Sequence, residues 1–592
     1  MRKYSVIFLI GFFSLIAQTL LFREFFQIFE GNELGLSAFF SSWLFWVAAG
    51  AWLGKKIKWF FSFESMPLLF LPAYLLQYMA ILYSRTWSGI SFYEVFPCEK
   101  MAMISFLVNS PVSLVTGFLF TQACRDQYGR VISVAKIYLL EAIGSFTGGM
   151  LVTLALSLTF SSEQIFLAAL FLLMAPIALL QREQKKYLIS GLYPLLILLF
   201  LFSVAPEKLS RCHDLYFWNN ILPGGHFQGR FTTKKTRYLY GEYHDQFQVL
   251  SWGKVCETLP NTQHASEITA LTLSQKSNAE KVLILGESIL GIGLTMAKLP
   301  SVREITLLHD DEEYFPALFK IWPSSYRESL KKIKIPGQDI RQFLSSHPDS
   351  YDLILVHFPP APSAVINRYY TEEFNHLLKQ ALKKDGVAAI QFSGGENFLG
   401  EELIRIGSSL YLTLKSCFLN IILKPGEESW FIASDWKEIS SSASILSERF
   451  RSIDKSGRIL SPERVLSLYP RDRIDFQMKL YRDYLNNNPV LKNTDTLPHL
   501  YLFRLLVYGK QTGVLFNRLL TSLTNKGLFP FLVLILIYGI FRLIYLIKGR
   551  SQKQTAGVFD SYFLVFSTGF ISLSLELILM FIYQTRFGSI FL

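Results

Sequence analysis

The chain has 592 residues, 51% hydrophobic, 15% aromatic and 18% charged, with a formal net charge of +12 and a mean hydropathy of +0.30. It is too apolar for a single soluble enzyme and too charged in its middle for a pure membrane bundle, so both must be present. The positive charge does not point to nucleic acid, because many of the cations flank apolar runs, where membrane topology accounts for them. Cys98, Cys124, Cys212, Cys256 and Cys417 show neither CxxC nor metal-ligand spacing, so neither zinc nor a disulfide framework is read from them.

Apolar runs long enough to cross a bilayer occur at 4–22, 34–53, 66–83, 101–123, 135–160, 164–180 and 187–205, and again at 528–547 and 562–583. The pattern predicts about seven spans, a soluble segment of roughly 320 residues and about two further spans. Arg2 and Lys3 precede the first run as in a signal peptide, but Arg23, Glu24 and Phe25 stand where a small-residue cleavage site would be, so it is read as a span. With Met1 in the cytoplasm, the basic loops 55–58, 125–130 and 182–186 fall inside. The loops holding Arg23, Glu24, Glu30 and Glu33, then Arg85, Glu94, Glu99 and Lys100, then Glu163, are acidic or balanced and fall outside. An odd number of spans places the soluble segment outside the cytoplasm and returns Lys548, Arg550 and Lys553 to the inside. The least regular span is 101–123, which contains Asn109, Ser110 and Pro111.

Glu141, in YLLEAIGSFTGG, is the residue that costs most to place in lipid, and it marks either an ion pair with a neighbouring helix or a transport site. It shares a helix face with Gly144 and Gly148, which admit a second helix at close range. Gly11-Phe12-Phe13-Ser14-Leu15 with Gln18 is echoed by Gly569-Phe570-Ile571-Ser572-Leu573 with Glu576, the mark of a protein built from two related halves. The second half stops after its first span, at 587–592, so either the chain is cut short or another polypeptide completes it.

The soluble segment opens with loops and aromatics over 206–230, then short strands at 236–240, 246–251 and 254–258, turning at Trp252-Gly253. A helix over 264–275, carrying Glu267, leads to KVLILGESILGIGLTMAKLPSVREITLLHDD at 281–311, the first βαβ unit of a doubly wound sheet. In such a sheet Gly286 to Gly291 and His309 to Asp311 line any pocket, although the same glycines also suit a plain strand-to-helix turn. Further strands are predicted at 333–335, 351–357, 387–392, 416–423 and 430–433, with a helix starting at Thr371-Glu372-Glu373-Phe374. Val282, Ile284, Ile305, Leu307, Leu353, Leu355 and Ile390 are the expected core.

With these pieces in order, the segment from about 240 to 435 resembles the spermidine synthase family, specifically its membrane-integrated bacterial members. The matching stretches are GEYHDQF, ASE, the glycine turn, GQDIRQFL, YDLILVHFPP, NRYYTEEF and GGENFL, flanked by GFFSLIAQTLLFRE, YLLEAIGSFTGG and NTDTLPHLYLF. The resemblance implies a multi-span α-helical membrane bundle plus an α/β domain, whose doubly wound sheet is of the S-adenosylmethionine-dependent transferase type and follows a small β-subdomain. The division is 1–205 membrane, 206–280 linker and β-subdomain, 281–435 α/β domain, 436–526 C-terminal extension, and 527–592 two spans opening a truncated second repeat.

The family's implied activity is transfer of the aminopropyl group of decarboxylated S-adenosylmethionine to putrescine. That needs a close-approach glycine turn, an acid for the ribose hydroxyls, and a carboxylate to orient and deprotonate the amine. Here the turn reads Gly286-Glu287-Ser288-Ile289-Leu290-Gly291, the ribose acid falls on His309, the catalytic aspartate on His357 and the acid after it on Pro360. Gln246, Glu267 and Arg341 remain upstream and in the GDxR-like turn, and Asp310 or Asp311 could replace the ribose acid by a one-residue slip. On this reading Gly286, Gly291, His309, Asp311 and Asp339 face the cofactor, and His357, Tyr370 and Glu373 carry catalysis if there is any.

Two functions are in play. One is a non-catalytic binding or assembly subunit of a membrane complex, with no cofactor; the other is an active membrane-bound aminopropyltransferase using decarboxylated S-adenosylmethionine. Expected partners are the lipid bilayer and a second membrane subunit, or a homo-oligomer through the last spans, and not nucleic acid. The expected location is the cell membrane, multi-pass, with the soluble domain outside the cytoplasm.

Overall fold

A computed structural model of the chain describes all residues except 1, 30–32, 58–62, 126–133, 182–193, 200, 202, 252, 323–329, 360–362, 397, 528, 550–555 and 588–592. The basic loops 126–130 and 182–186, residues 187–193, 200 and 202 of the span predicted at 187–205, Pro360 and the last five residues lie outside the described residues. By internal packing the chain forms two units, Met1–Thr262 with Asp311–Tyr326, and Gln263–Asp310 with Arg327–Phe591.

In the first unit, helices long and apolar enough to cross a membrane run over Tyr4–Ile28, Glu33–Lys56, Ser65–Leu82 and Val134–Ser157. The irregular run at 101–123 is a bent pair, Cys98–Val108 and Ser110–Cys124, meeting at 45°. Pro111 cannot donate to the helix ladder, and side chains satisfy the broken turn. Asn109 Nδ2 donates to Ser42 Oγ at 2.7 Å, Gln77 Nε2 donates to Asn109 Oδ1 at 3.2 Å, and Val112 N donates to Gln77 Oε1 at 2.9 Å. The run at 164–180 lies on a helix, but its apolar stretch Ser162–Ile177 is shorter than a full crossing. With Phe529–Ile547 and Phe563–Arg586 in the second unit, the described residues hold six such helices, or seven with the bent pair, against nine runs in the sequence.

Small residues set the closest helix contact. A Cβ on Gly11 would lie 2.1 Å from the carbonyl oxygen of Glu141, and one on Gly144 would lie 2.1 Å from that of Phe8. The Arg2–Ile28 and Val134–Ser157 helices therefore meet backbone to backbone, as the Gly144 and Gly148 spacing predicts.

The region 206–230 is not loop but a helix, Ala205–Ile221, followed by strand β1 (His226–Thr232). Its apolar periodicity is weak because its buried face sets Ser210, His213 and Asp214 beside Phe217 and Trp218, with Asp214 paired to Arg230 at 2.9 Å and to Arg237 at 3.3 Å. β1, β2 (Arg237–Tyr243), β3 (Gln246–Ser251) and β4 (Lys254–Leu259) then form an antiparallel sheet in sequence order.

The second unit holds a seven-stranded sheet in the order β10-β11-β9-β8-β5-β6-β7. Its strands are β5 (Lys281–Gly286), β6 (Glu304–Leu308), β7 (Ile333–Lys334), β8 (Tyr351–His357), β9 (Leu382–Ser393), β10 (Asn420–Lys424) and β11 (Glu428–Ser434). β5 to β9 pair in parallel, and β11 lies antiparallel between β9 and β10. This is the doubly wound, transferase-type arrangement, with helices crossing between parallel strands. The seven expected core residues are all at most 1% exposed. β10 starts four residues later than predicted, because the amphipathic helix Glu401–Lys415 runs up to Ser416.

Candidate functional site at the switch point of the sheet

Strand order reverses between β5 and β8, where Gly286 pairs with His357. Crevices at such a reversal, beyond the carboxyl ends of the strands, are where doubly wound sheets bind ligands. Gly286 has φ +137°, and a Cβ there would lie 1.9 Å from the carbonyl oxygen of His357, so only glycine fits. Glu287 N donates to that same oxygen at 2.9 Å. Ser288 adopts φ +53°, a left-handed backbone that glycine takes freely and serine only at a cost. The turn thus holds a glycine-type conformation at a serine. Gly291 is buried in the helix Leu290–Ala297 that follows, its carbonyl accepting from Thr295 Oγ1 at 2.8 Å.

His309 follows β6 and is 8% exposed, and the Asp310 carboxylate accepts from the Tyr369 hydroxyl. Asp311 groups with the first unit, where its Oδ2 accepts from Thr233 Oγ1 at 2.6 Å and Tyr238 OH at 3.0 Å. The two acids offered as a slipped ribose ligand are thus each engaged by tyrosine.

Asp339 is the N-cap of the helix Ile340–Ser346, its Oδ1 accepting from Arg341 N at 3.0 Å and Gln342 N at 3.1 Å. The Arg341 guanidinium forks onto Asp495, Nη1 to Oδ2 at 2.6 Å and Nη2 to Oδ1 at 2.7 Å, and Nη2 also donates to Thr371 Oγ1 at 3.0 Å. Glu373 Oε2 accepts from Asp495 N at 3.0 Å, and the buried Tyr370 hydroxyl donates to the carbonyl of Phe358 at 2.9 Å. Arg341, Glu373 and Asp495 form one clamp, which ties the NRYYTEEF stretch to the NTDTLPHLYLF segment.

His357 ends β8 and donates from Nδ1 to the carbonyl of Glu287 at 2.7 Å. That bond fixes the tautomer, with the proton on Nδ1 and a lone pair on Nε2. Burial pushes the imidazole below its ordinary value despite the nearby Glu428 carboxylate. Two neighbours escape a reading of the sequence: His264, in the first turn of the helix Thr262–Leu273, and Glu428, which opens β11. His264 Nε2 lies 2.9 Å from Glu428 Oε2, and His357 Nε2 lies 4.0 Å from Glu428 Oε1. Hydrogen bonding to Glu428 raises the His264 imidazole. Burial by itself would raise the Glu428 carboxyl, and His264 more than reverses it, leaving it below the usual carboxylate range. His264 and Glu428 are 164 residues apart, with no motif to join them.

Residues 262–409 match the family model described as the Spermine/spermidine synthase domain. A polyamine aminopropyltransferase of Oceanobacillus iheyensis is 30% identical over 121 residues, 19% of this chain and 23% of that protein. One from Agathobacter rectalis is 26% identical over 136 residues, 23% of this chain and 47% of its own length. The chain thus spans about a quarter to a half of the curated relatives it matches. Among solved structures, the spermidine synthase from Thermotoga maritima aligns at 17% identity and a TM-score of 0.33, over 43% of this chain and 87% of its own. A spermidine synthase structure in complex with the transition-state analogue AdoDATO aligns equally. By the match of residues 262–409, this chain carries a spermine/spermidine synthase domain.

Proposed function

We propose that this chain is a membrane-embedded, spermidine synthase-like protein whose α/β domain binds or assembles rather than transferring aminopropyl groups. The observation that carries this is His357. Aminopropyl transfer requires a neutral amine attacking the carbon next to a sulfonium, and a carboxylate both attracts the polyamine cation and takes its proton. In its place stands a buried imidazole that is neutral at pH 7 and whose Nδ1 proton is held by the carbonyl of Glu287. It can accept a proton at Nε2 but brings no negative charge. Asp339, Glu373 and Arg341 have structural partners within the fold, which fits a domain retained for its shape.

Expected partners are the bilayer and a second membrane chain on the last helices, with the α/β domain outside the cytoplasm. An active membrane-bound aminopropyltransferase is the second reading, favoured by Glu428, a carboxylate 4.0 Å from His357 that could supply the missing charge. The test is spermidine formation by the full chain in detergent, from decarboxylated S-adenosylmethionine and putrescine. Turnover should fall at least about a hundredfold below a soluble aminopropyltransferase, the usual loss without positioned acid–base help, and His357→Asp should raise it. Turnover equal to the soluble enzyme, abolished in His357→Ala or Glu428→Gln, would overturn the proposal.

A further inference from the structure

His264, His357 and Glu428 come from a helix, a central strand end and the antiparallel strand, and their ligand atoms all lie within 4.8 Å of one another. His357 Nε2 is buried and has no hydrogen-bond partner, although the residue is 8% exposed. Its Nδ1 proton is committed to Glu287, so Nε2 presents a lone pair toward a carboxylate oxygen 4.0 Å away. Glu428 Oε1 already accepts from Trp430, but the buried His357 Nε2 faces that carboxylate with a lone pair and no donor to satisfy it. A cation between them resolves this. We propose that His264, His357 and Glu428 bind a first-row divalent metal ion of the zinc class, with a fourth coordination position left to water or an anionic ligand.

The donor set suits that class: two neutral imidazoles and one carboxylate select zinc and its first-row neighbours over magnesium or calcium. Ligand bonds of about 2.0–2.2 Å put the donors of one ion roughly 3–3.5 Å apart. His264 Nε2 and Glu428 Oε2 are already at 2.9 Å, and the widest pair must close by about an ångström. His264 and Glu428 side chains, 34% and 32% exposed, have room to turn, whereas His357 is fixed. The outer contacts are those of a metal site: His357 donates its other ring proton to a backbone carbonyl, and the buried Trp430 donates Nε1–H to Glu428 Oε1 at 3.1 Å. Of the other charged groups facing the cluster, Glu267 adds negative charge and Lys424 positive, its amine pushed down by burial. The ion would displace the proton now shared by His264 and Glu428. The site stands on side-chain geometry alone, whether or not aminopropyl transfer survives.

The experiment is titration of the chelator-treated full chain in detergent with Co2+, followed by displacement with Zn2+. About one Co2+ per chain should bind, with visible absorption of a four- or five-coordinate ion. His357→Ala and Glu428→Gln should each weaken binding on the order of a hundredfold or more, while the exposed His376→Ala leaves it unchanged. If His357→Ala does not fold, His264→Gln, at a third-exposed position, carries the same test. No binding by the folded chain, or binding that all three variants retain, would overturn the proposal.

Discussion

The bond between His264 and Glu428 links two titrations of opposite sign. His264 is raised above its ordinary value, so its contribution to stability is complete below about pH 6.5 and is lost as pH rises through its folded value. Glu428 is lowered, so its contribution is present above about pH 4.3 and lost as pH falls. The buried His357 is lowered and works against the fold in acid, below about pH 6.5. Glu267 and Lys424 also face His264 and partly offset one another. With chelator present, His264→Gln should therefore lower the melting temperature at pH 5.5 and leave it nearly unchanged at pH 8.5. An equal loss at both would mean that the charged pair is not what His264 supplies. His357 was legible in the sequence because a strand end is a fixed place and a histidine there is conspicuous. His264 and Glu428 were not, because only the insertion of β11 brings residue 428 beside β8's neighbour. Asp339 was read as facing a cofactor, whereas in the structure its carboxylate caps the helix Ile340–Ser346, a role that a turn motif alone did not announce.

Among the elements, the glycine-bearing helices offer a comparison within one chain. On the Arg2–Ile28 helix Gly11 is covered by the backbone of Glu141, whereas on the Ala556–Phe587 helix Gly569, at the corresponding place in the repeat, meets nothing within 4 Å among the described residues. If the two copies pack alike, the Gly569 face takes a helix with small residues in the manner of Gly144 and Gly148, supplied by a second membrane chain. Gly11→Leu should then destabilise the chain by at least about 1–3 kcal/mol, since a backbone oxygen cannot be repacked. Gly569→Leu should leave the melting temperature of the isolated chain unchanged and abolish co-purification of the partner or the second copy. Retained association would reject that face. The spans over 4–28, 33–56 and 134–157 and the close approach at Gly144 and Gly148 were readable because span length and small-residue spacing are local. The helix Ala205–Ile221 was missed because its buried face mixes Ser210, His213 and Asp214 with Phe217 and Trp218, so no apolar stripe shows in the sequence.

For the whole molecule, the charge pattern and the proposed loss of the site carboxylates would share one cause. Basic loops alternate with acidic or balanced ones along the first predicted spans, and an odd count of crossings would put the segment after 205 outside the cytoplasm. The count depends on the bent pair Cys98–Val108 and Ser110–Cys124 crossing once and on the runs at 164–180, shorter than a full crossing, and 187–205; one crossing fewer would reverse it. A domain outside the cytoplasm has little access to cytosolic S-adenosyl compounds. The carboxylates that hold the ribose and the polyamine are then no longer needed, and His309 and His357 can stand in their places. Gly457 is exposed with open space around it, and Cys212 is already exposed. In a chain whose other cysteines are serine, Gly457→Cys and native Cys212 should each react with a membrane-impermeant maleimide on whole cells. Labelling only after lysis would place the domain beside the cofactor pool, remove the reason for losing the carboxylates, and leave Glu428 as the charge of a working transferase.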